Sequence, residues 1–309
     1  MVGVFMNEPV LQLTNIYKKI KGKDILRDVN LSVYPSEIFG FLGANGAGKT
    51  TTIRIIAGLI KPDLGKVTIG GFSLDSDFVR AMSQVGCIIE SPDMYKFLTG
   101  MENLQQLAAM SSRITQDRID EVVELVGLQH RIEDKVDTYS LGMKQRLGIA
   151  QAIMGRPRLL ILDEPANGLD PAGIAELRQL IRRLAYDEGM AVFVSSHILA
   201  EVQQICDTVA IISRGVILNT LKVKEIGKDV MVEWQVDKPS LAMELLKERW
   251  DIAAEQTGKN RVRAVIERVM AEDINQAFIA EGIRLAYCEA HGGTLEDLFL
   301  NLTGGDEIV

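Results

Sequence analysis

The stretch Gly43-Ala-Asn-Gly-Ala-Gly-Lys-Thr50 has the spacing G-x-x-x-x-G-K-[ST], and its residue types point to triphosphate chemistry. Glycines at 43, 46 and 48 let the backbone wrap closely around a chain of phosphates and turn several N–H groups inward. A helix pattern starts near Lys49, so a positive helix end adds to the same anion site. Lys49 has the reach to meet β- and γ-phosphates, and the Thr50 hydroxyl is a ligand suited to magnesium. The residues assigned to nucleotide here are Gly43, Ala44, Asn45, Gly46, Ala47, Gly48, Lys49, Thr50 and Thr51. The alternative is a glycine-rich turn that happens to precede a helix and a lysine.

A second cluster, Leu159-Leu-Ile-Leu-Asp163-Glu164-Pro165, is an apolar strand ending in two acids. Carboxylates at the carboxyl end of a core strand lie at the crevice where α/β folds bind ligands. Asp163 suits the outer shell of magnesium. Adjacent strand residues point to opposite faces, so Glu164 is expected to leave the strand end differently and to face the water that attacks a γ-phosphate. By itself the stretch also fits an acidic, proline-terminated surface turn.

Positioning these groups requires a strand, loop, helix unit, and Ile38-Phe-Gly-Phe-Leu42 supplies its strand. Val85–Ile89, Leu159–Leu162 and Ala191–Val194 read as buried parallel strands, with Val209–Ile212 a candidate fourth. Val10–Leu13 and Ile25–Val33 alternate as earlier strands. Met101–Met110, Asp117–Val126 and Leu147–Ile153 have helical patterns, giving an α/β core with a helical insertion. After Gly227 the order is β-α-β-β-α-β: Val230–Val236, Leu241–Lys247, Ile252–Glu255, Val262–Ile266, Ala271–Glu281 and Ile283–Cys288. That order predicts a small split βαβ domain, closed by a helix over Leu295–Leu302.

At 309 residues the chain is long enough for roughly two domains. Its composition, 47% apolar and 25% charged, excludes a disordered or fibrous protein. A net charge of −8 argues against an electrostatic grip on nucleic acid. Cys87, Cys206 and Cys288 are odd in number and far apart, so they read as free thiols in a reducing compartment. No stretch approaches the ~18 apolar residues of a spanning helix, and Met1–Pro9 lacks the marks of a signal peptide. The expectation is a soluble protein that depends on another chain for any membrane step.

Together these motifs resemble the nucleotide-binding subunit of an ATP-binding cassette (ABC) transporter. Tyr139-Ser-Leu-Gly-Met-Lys-Gln-Arg-Leu147 is similar to the family signature Leu-Ser-Gly-Gly-Gln, Asn167-Gly-Leu-Asp170 to the loop after the paired acids, and Val194-Ser-Ser-His197 to the switch histidine at a strand end. The resemblance implies a P-loop NTPase core with a mostly parallel sheet, an N-terminal antiparallel β subdomain, a helical insertion and a small C-terminal α+β domain. The boundaries expected are 9–228 for the cassette, with the helical part at about 97–155, and 229–309 for the accessory domain. The family pairs two such chains head to tail around two ATP molecules. On that basis Ser140 and Gly142 would contact the γ-phosphate held by the other chain, His197 would hydrogen-bond it, and Asp170 would signal across the interface. His130 and His291 have no such context and are expected at the surface.

The departures carry information. Leu141 and Met143 replace a glycine and the glutamine of the signature, and leucine cannot take a positive φ cheaply, so its backbone should be ordinary or slightly strained. Lys18-Lys19 is followed by Ile20 where the family stacks an aromatic ring on adenine, leaving Ile20 or Tyr17 as the adenine contact. Glu90 stands where the family usually has glutamine, as in the bacitracin-resistance and lantibiotic-immunity exporters, and Ser91–Thr99 continues the same likeness. Glu90 is therefore read as a further catalytic and magnesium-binding candidate, or as an acid in a loop. Family members receive a short helix of the permease near residues 91–99. Met94, Tyr95, Phe97 and Leu98 fit that docking role or an internal anchoring one. Trp234 and Trp250 read as core residues of the accessory domain. The rival readings are a soluble ABC-type ATPase of nucleic acid or ribosomes, disfavoured by the acidic balance, and a non-catalytic cassette, disfavoured by intact Lys49, Asp163, Glu164 and His197.

Overall fold

The computed structural model describes residues 8–299 apart from 91, 112, 292, 293 and 297. The amino-terminal run read for a signal, Ser91 and the end of the closing helix lie outside the described residues. Two compact units divide between Thr220 and Leu221.

The first unit holds two sheets. Strands β1 (Leu11–Ile20), β2 (Lys23–Val33), β4 (Leu64–Ile69) and β5 (Phe72–Ser73) form an antiparallel sheet in the order β2-β1-β4-β5. The other sheet runs β10-β9-β3-β8-β7-β6, from β3 (Ile38–Leu42), β6 (Val85–Ile88), β7 (Leu159–Asp163), β8 (Ala191–Ser196), β9 (Thr208–Ser213) and β10 (Val216–Lys222). Its β9-β3-β8-β7-β6 portion is parallel. Every residue of β3, β7 and β8 is buried, which explains why these strands read as unbroken apolar runs rather than alternating ones. Phe39 stacks on Phe193 with ring centroids 5.8 Å apart, locking β3 to β8 at the centre of the core.

Nothing in the sequence reading assigned β4, β5, β10 or three helices. These are α2 (Phe78–Met82), α6 (Pro171–Tyr186) and α7 (Leu199–Ile205), which join α1 (Lys49–Ile56), α3 (Gly100–Ala108), α4 (Gln116–Leu125) and α5 (Leu141–Ile153). The helical insertion is α3, α4 and α5. Thr99 begins α3 with a full capping box to Glu102, and Arg118 of α4 closes α5 by donating to the Ile153 and Met154 carbonyls at 2.7 and 3.2 Å. The third helix starts six residues earlier than its apolar pattern, at Leu141, because Ser140 caps it.

Helix α5 reaches the sheet through a glycine. A β-carbon on Gly86 of β6 would stand 2.2 Å from the Ala152 carbonyl oxygen, an impossible contact, so strand or helix would have to move. Gly86→Ala is expected to cost about 1–3 kcal/mol, the usual range for an overpacked core, and urea unfolding measures it as a lower midpoint.

The second unit has the β-α-β-β-α-β order expected: β11 (Asp229–Val236), α8 (Pro239–Trp250), β12 (Ala254–Gly258), β13 (Arg261–Glu267), α9 (Ala271–Ala280) and β14 (Leu285–His291). The sheet is antiparallel in the order β12-β13-β11-β14. Trp234 is fully buried, donates its indole N–H to Asn275 at 2.8 Å and meets Phe278 edge-on, while Arg249 lies over the half-buried Trp250 ring. Of the closing segment, Leu295, Glu296, Leu298 and Phe299 are helical, with Leu295 and Phe299 buried.

Candidate nucleotide site

The four adjacent parallel strands β3, β8, β7 and β6 deliver, at their carboxyl ends, the glycine loop, His197, the Asp163–Glu164 pair and Glu90 in that order. Residues spread over more than 150 positions of sequence thus come to one sheet edge.

Between β3 and α1 the loop is folded by its glycines. Gly48 caps α1 with φ +114°, and a β-carbon there would meet Leu26 at 2.7 Å; Gly43 could not carry one either, since the Ile212 carbonyl oxygen would lie 2.4 Å away. Gly46 also has positive φ, but opens to free space. Lys49 is buried, and its ammonium donates to the Gly43 and Ala44 carbonyls at 2.7 and 3.3 Å while lying 3.3 Å from Glu164 Oε1. All three donors of the ammonium are therefore directed around the mouth of the loop.

Asp163 ends β7 and is almost wholly buried. Ser195 of β8, directly opposite in register, donates its hydroxyl to Asp163 Oδ1 at 2.5 Å and accepts from the Glu164 N–H at 3.0 Å. Burial pushes the Asp163 carboxyl above its ordinary value; the Ser195 bond opposes this, the Glu164 charge adds to it, and Lys49 and a hydrogen bond from Thr50 pull the other way. Glu164 does leave the strand differently, through a left-handed φ of +48° that turns its carboxylate back over the loop. There Oε2 meets His197 Nδ1 at 2.8 Å. Lys49, Glu164 and His197 are one contiguous cluster, with Glu164 in the middle.

Ser195 was missed in the sequence reading. A pair of serines ending an otherwise apolar, fully buried strand was the available signal, since each must find a partner when buried. Replacing Ser195 by alanine leaves the Asp163 carboxylate and the Glu164 amide short of a partner. A loss of roughly 1–3 kcal/mol is expected, read as a lower denaturation midpoint.

Other candidates stand apart from this cluster. Ser140 and Asp170 each occupy a helix N-cap, Ser140 accepting from the Met143 N–H at 3.2 Å and Asp170 from the Gly173 N–H at 3.0 Å. Leu141 sits in the first turn of α5 with ordinary helical backbone, and its side chain lies against Gly168. A β-carbon on Gly142 would make only ordinary contacts, 3.9 Å from Leu169 and 4.0 Å from Ser140 Oγ. Ser140 and Leu141 are exposed at the start of α5, so this helix end faces outward. Glu90 has φ +66° and pairs with Arg54 Nη2 at 2.9 Å. Tyr17 and Ile20 are both partly exposed on β1, and His130 is exposed. Of the hydrophobic residues after Glu90, Tyr95 and Phe97 are exposed with rings 5.8 Å apart, whereas Met94 and Leu98 are half-buried. Buried Asn103 fixes that loop by bonding the Tyr95 N–H and the Tyr95 and Thr99 carbonyls.

The sequence profile of the ABC transporter family matches residues 26–167. The chain is 45% identical over 303 residues to the ABC transporter ATP-binding protein YhcH of Bacillus subtilis (strain 168), covering 96% of each. The chain belongs to the ABC transporter ATP-binding proteins. It is also 38% identical over 302 residues to the bacitracin transport ATP-binding protein BcrA of Bacillus licheniformis, covering 97% of this chain and 99% of that one. Among solved structures, a dimeric bacterial ABC transporter cassette is 25% identical, with a TM-score of 0.61 over 69% of this chain and 98% of that one.

As a member of this family the protein is an ATPase that binds ATP, and cassettes of this kind act in pairs with membrane-spanning permeases. Among its described residues no helix is long and apolar enough to cross a membrane. The oxygen donors for a hard cation are suitable. Thr50 and Asp163 are hydrogen-bonded neighbours at the loop, and a bound cation would relieve the buried carboxylate. Among the described residues no group of three or more His, Cys, Asp or Glu side chains gathers to hold a metal by itself. A cation here would therefore share its coordination with nucleotide phosphates.

Proposed function

We propose that this protein is the ATP-hydrolysing subunit of an exporter that protects against peptide antibiotics of the bacitracin or lantibiotic kind. The observation that carries the reading is likeness to a bacitracin transport ATP-binding protein over 97% of the chain, so that the second unit is included as well as the cassette. The unit that ends at Thr220 is the cassette and the one that begins at Leu221 is the accessory domain, a division eight residues before the expected boundary at 228. The chain works from the cytoplasmic side, held to the membrane by its permease.

The loop from Gly43 to Thr51 holds the triphosphate, and Lys49 gives up its bonds to the Gly43 and Ala44 carbonyls for β- and γ-oxygens. Thr50, Asp163 and Glu90 would hold magnesium, which would supply neutralisation of phosphate charge. Glu164 takes the proton of the attacking water, and His197, hydrogen-bonded to it, orients the carboxylate and contacts the γ-phosphate. Exposed Ser140 and half-buried Gly142, at the start of α5, close over the nucleotide of a second copy bound head to tail, with Asp170 at the same interface. Loss of the γ-phosphate removes what that helix end grips, and the pair loosens. The permease docks beside Tyr95 and Phe97, where a groove of about 490 Å³ is lined by Met94, Tyr95, Leu107 and Met110.

The test is co-expression with a candidate permease, a membrane-spanning protein taken from the neighbouring genes. Bacitracin resistance should rise several-fold, and the complex should co-purify in detergent. Retained co-purification with no protection against any peptide antibiotic would overturn the substrate class and leave the ATPase assignment intact.

A further inference from the structure

Glu90 brings a third carboxylate to the sheet edge that already carries Asp163 and Glu164. The pairing of Ile88 with Leu162 sets the end of β6 level with the end of β7, so Glu90 follows its strand at the height where Glu164 follows the neighbouring one. A triphosphate entering this edge meets three acids. Lys49 is the cation already engaged by Glu164, and its ammonium is consumed by the loop carbonyls and that carboxylate. The cation paired with Glu90 is Arg54, on the helix that the glycine loop opens, at 2.9 Å.

Both members of this pair are substantially exposed, 46% for the Arg54 side chain and 69% for Glu90, so the bond adds little to folding stability. Yet the Glu90 backbone is held in a left-handed conformation, uncommon for a residue with a β-carbon. Two residues on, Pro92 packs against α5 so closely that Gly148 could not carry a β-carbon, which would lie 2.7 Å from Pro92. The residue is thus pinned between β6 on one side and the signature helix on the other, and its carboxylate is directed to Arg54.

We propose that Arg54 is a positioning residue for Glu90, drawing its carboxylate onto α1 and offsetting its charge so that the triphosphate can enter before magnesium neutralises the site. The inference rests on the nucleotide site proposed above and adds to it a residue outside the phosphate loop. Arg54 and the phosphate site compete for one carboxylate, and the arginine holds it when no cation is bound.

The experiment is titration of the full-length protein with a fluorescent ATP analogue, with EDTA or with magnesium, at low and at 0.5 M salt. In EDTA at low salt Arg54→Ala should weaken binding about fivefold, the factor that ~1 kcal/mol gives, because an unpaired Glu90 repels the γ-phosphate. Arg54→Lys should keep the parent affinity. In the double variant Arg54→Ala/Glu90→Gln the loss should disappear, and high salt or magnesium should shrink it in Arg54→Ala. An Arg54→Ala protein that binds like the parent in EDTA overturns the proposal, as does a loss that Glu90→Gln fails to relieve, since arginine would then act on phosphate directly or through α1. Thermal unfolding of each variant detects a folding defect, and an Arg54→Ala loss accompanied by a lowered midpoint that Arg54→Lys shares also counts against it. If the parent binds no nucleotide with magnesium, it is the site proposed above that fails.

Discussion

Glu164→Gln should lower ATP turnover by about 10²–10⁴-fold, the range contributed by a positioned general base, while nucleotide binding persists. The amide keeps the size of the carboxylate and can still bond His197, but it takes up no proton from water. It also removes the charge that lies 3.3 Å from the Lys49 ammonium, so affinity for MgATP should hold or rise. With turnover blocked, the ATP-bound pair of chains should accumulate and elute as a dimer in gel filtration. Phosphate release, fluorescent-nucleotide binding and gel filtration check the three parts. A variant that hydrolyses ATP at the parent rate would remove Glu164 from the reaction.

Lys49→Ala should act earlier, on binding. The ammonium is buried and contacts both the loop carbonyls and the carboxylate where the triphosphate would lie. Removing one partner of a buried charged interaction costs about 2–5 kcal/mol, so nucleotide affinity should fall by roughly 30-fold or more. ATPase activity should disappear at ordinary ATP concentrations. Glu164 then loses its cation and keeps only His197, so the thermal midpoint of the free protein should fall as well. Nucleotide titration with Lys49→Ala, followed by activity at raised ATP, separates a binding defect from a chemical one.

The two variants dissect a cluster that Ser195 holds in place. Asp163 and Glu164 are neighbours in sequence, yet one is buried in the sheet and the other turned over the loop. The left-handed backbone at Glu164 and the hydroxyl between them keep that difference. Two carboxylates with separate environments can take separate roles, one for a cation and one for a proton.

Much of this was legible in order along the chain. The glycine loop and its helix start follow from local chemistry: a turn needs positive φ at Gly46 and Gly48, and close approach of Ile212 leaves no room at Gly43. Buried parallel strands announce themselves as short apolar runs, and the β-α-β-β-α-β order of the second unit followed from alternation in β11 and β13. Elements without such a signal were unassigned. The exposed ends of β4 and β10 dilute their alternation, and α6 follows an N-cap and proline whose meaning depends on what packs beneath.

Read along the chain, the residues supply the set of groups: a phosphate loop, two acids at a strand end, a histidine at another, and a glutamate where an amide is usual. Local spacing suffices for these, since each is a short run whose backbone conformation depends on its own residues. Which of these groups meet depends on the fold. The strand order β3-β8-β7-β6 sets Lys49 against Glu164, Glu164 against His197, and Ser195 between the two acids, although no spacing in the chain relates them. It also gave Glu90 to Arg54 and made Ser140 and Asp170 helix caps as well as candidate contacts. Pairing between distant strands is fixed by burial on both faces of the sheet, a property of the whole core that no single motif carries.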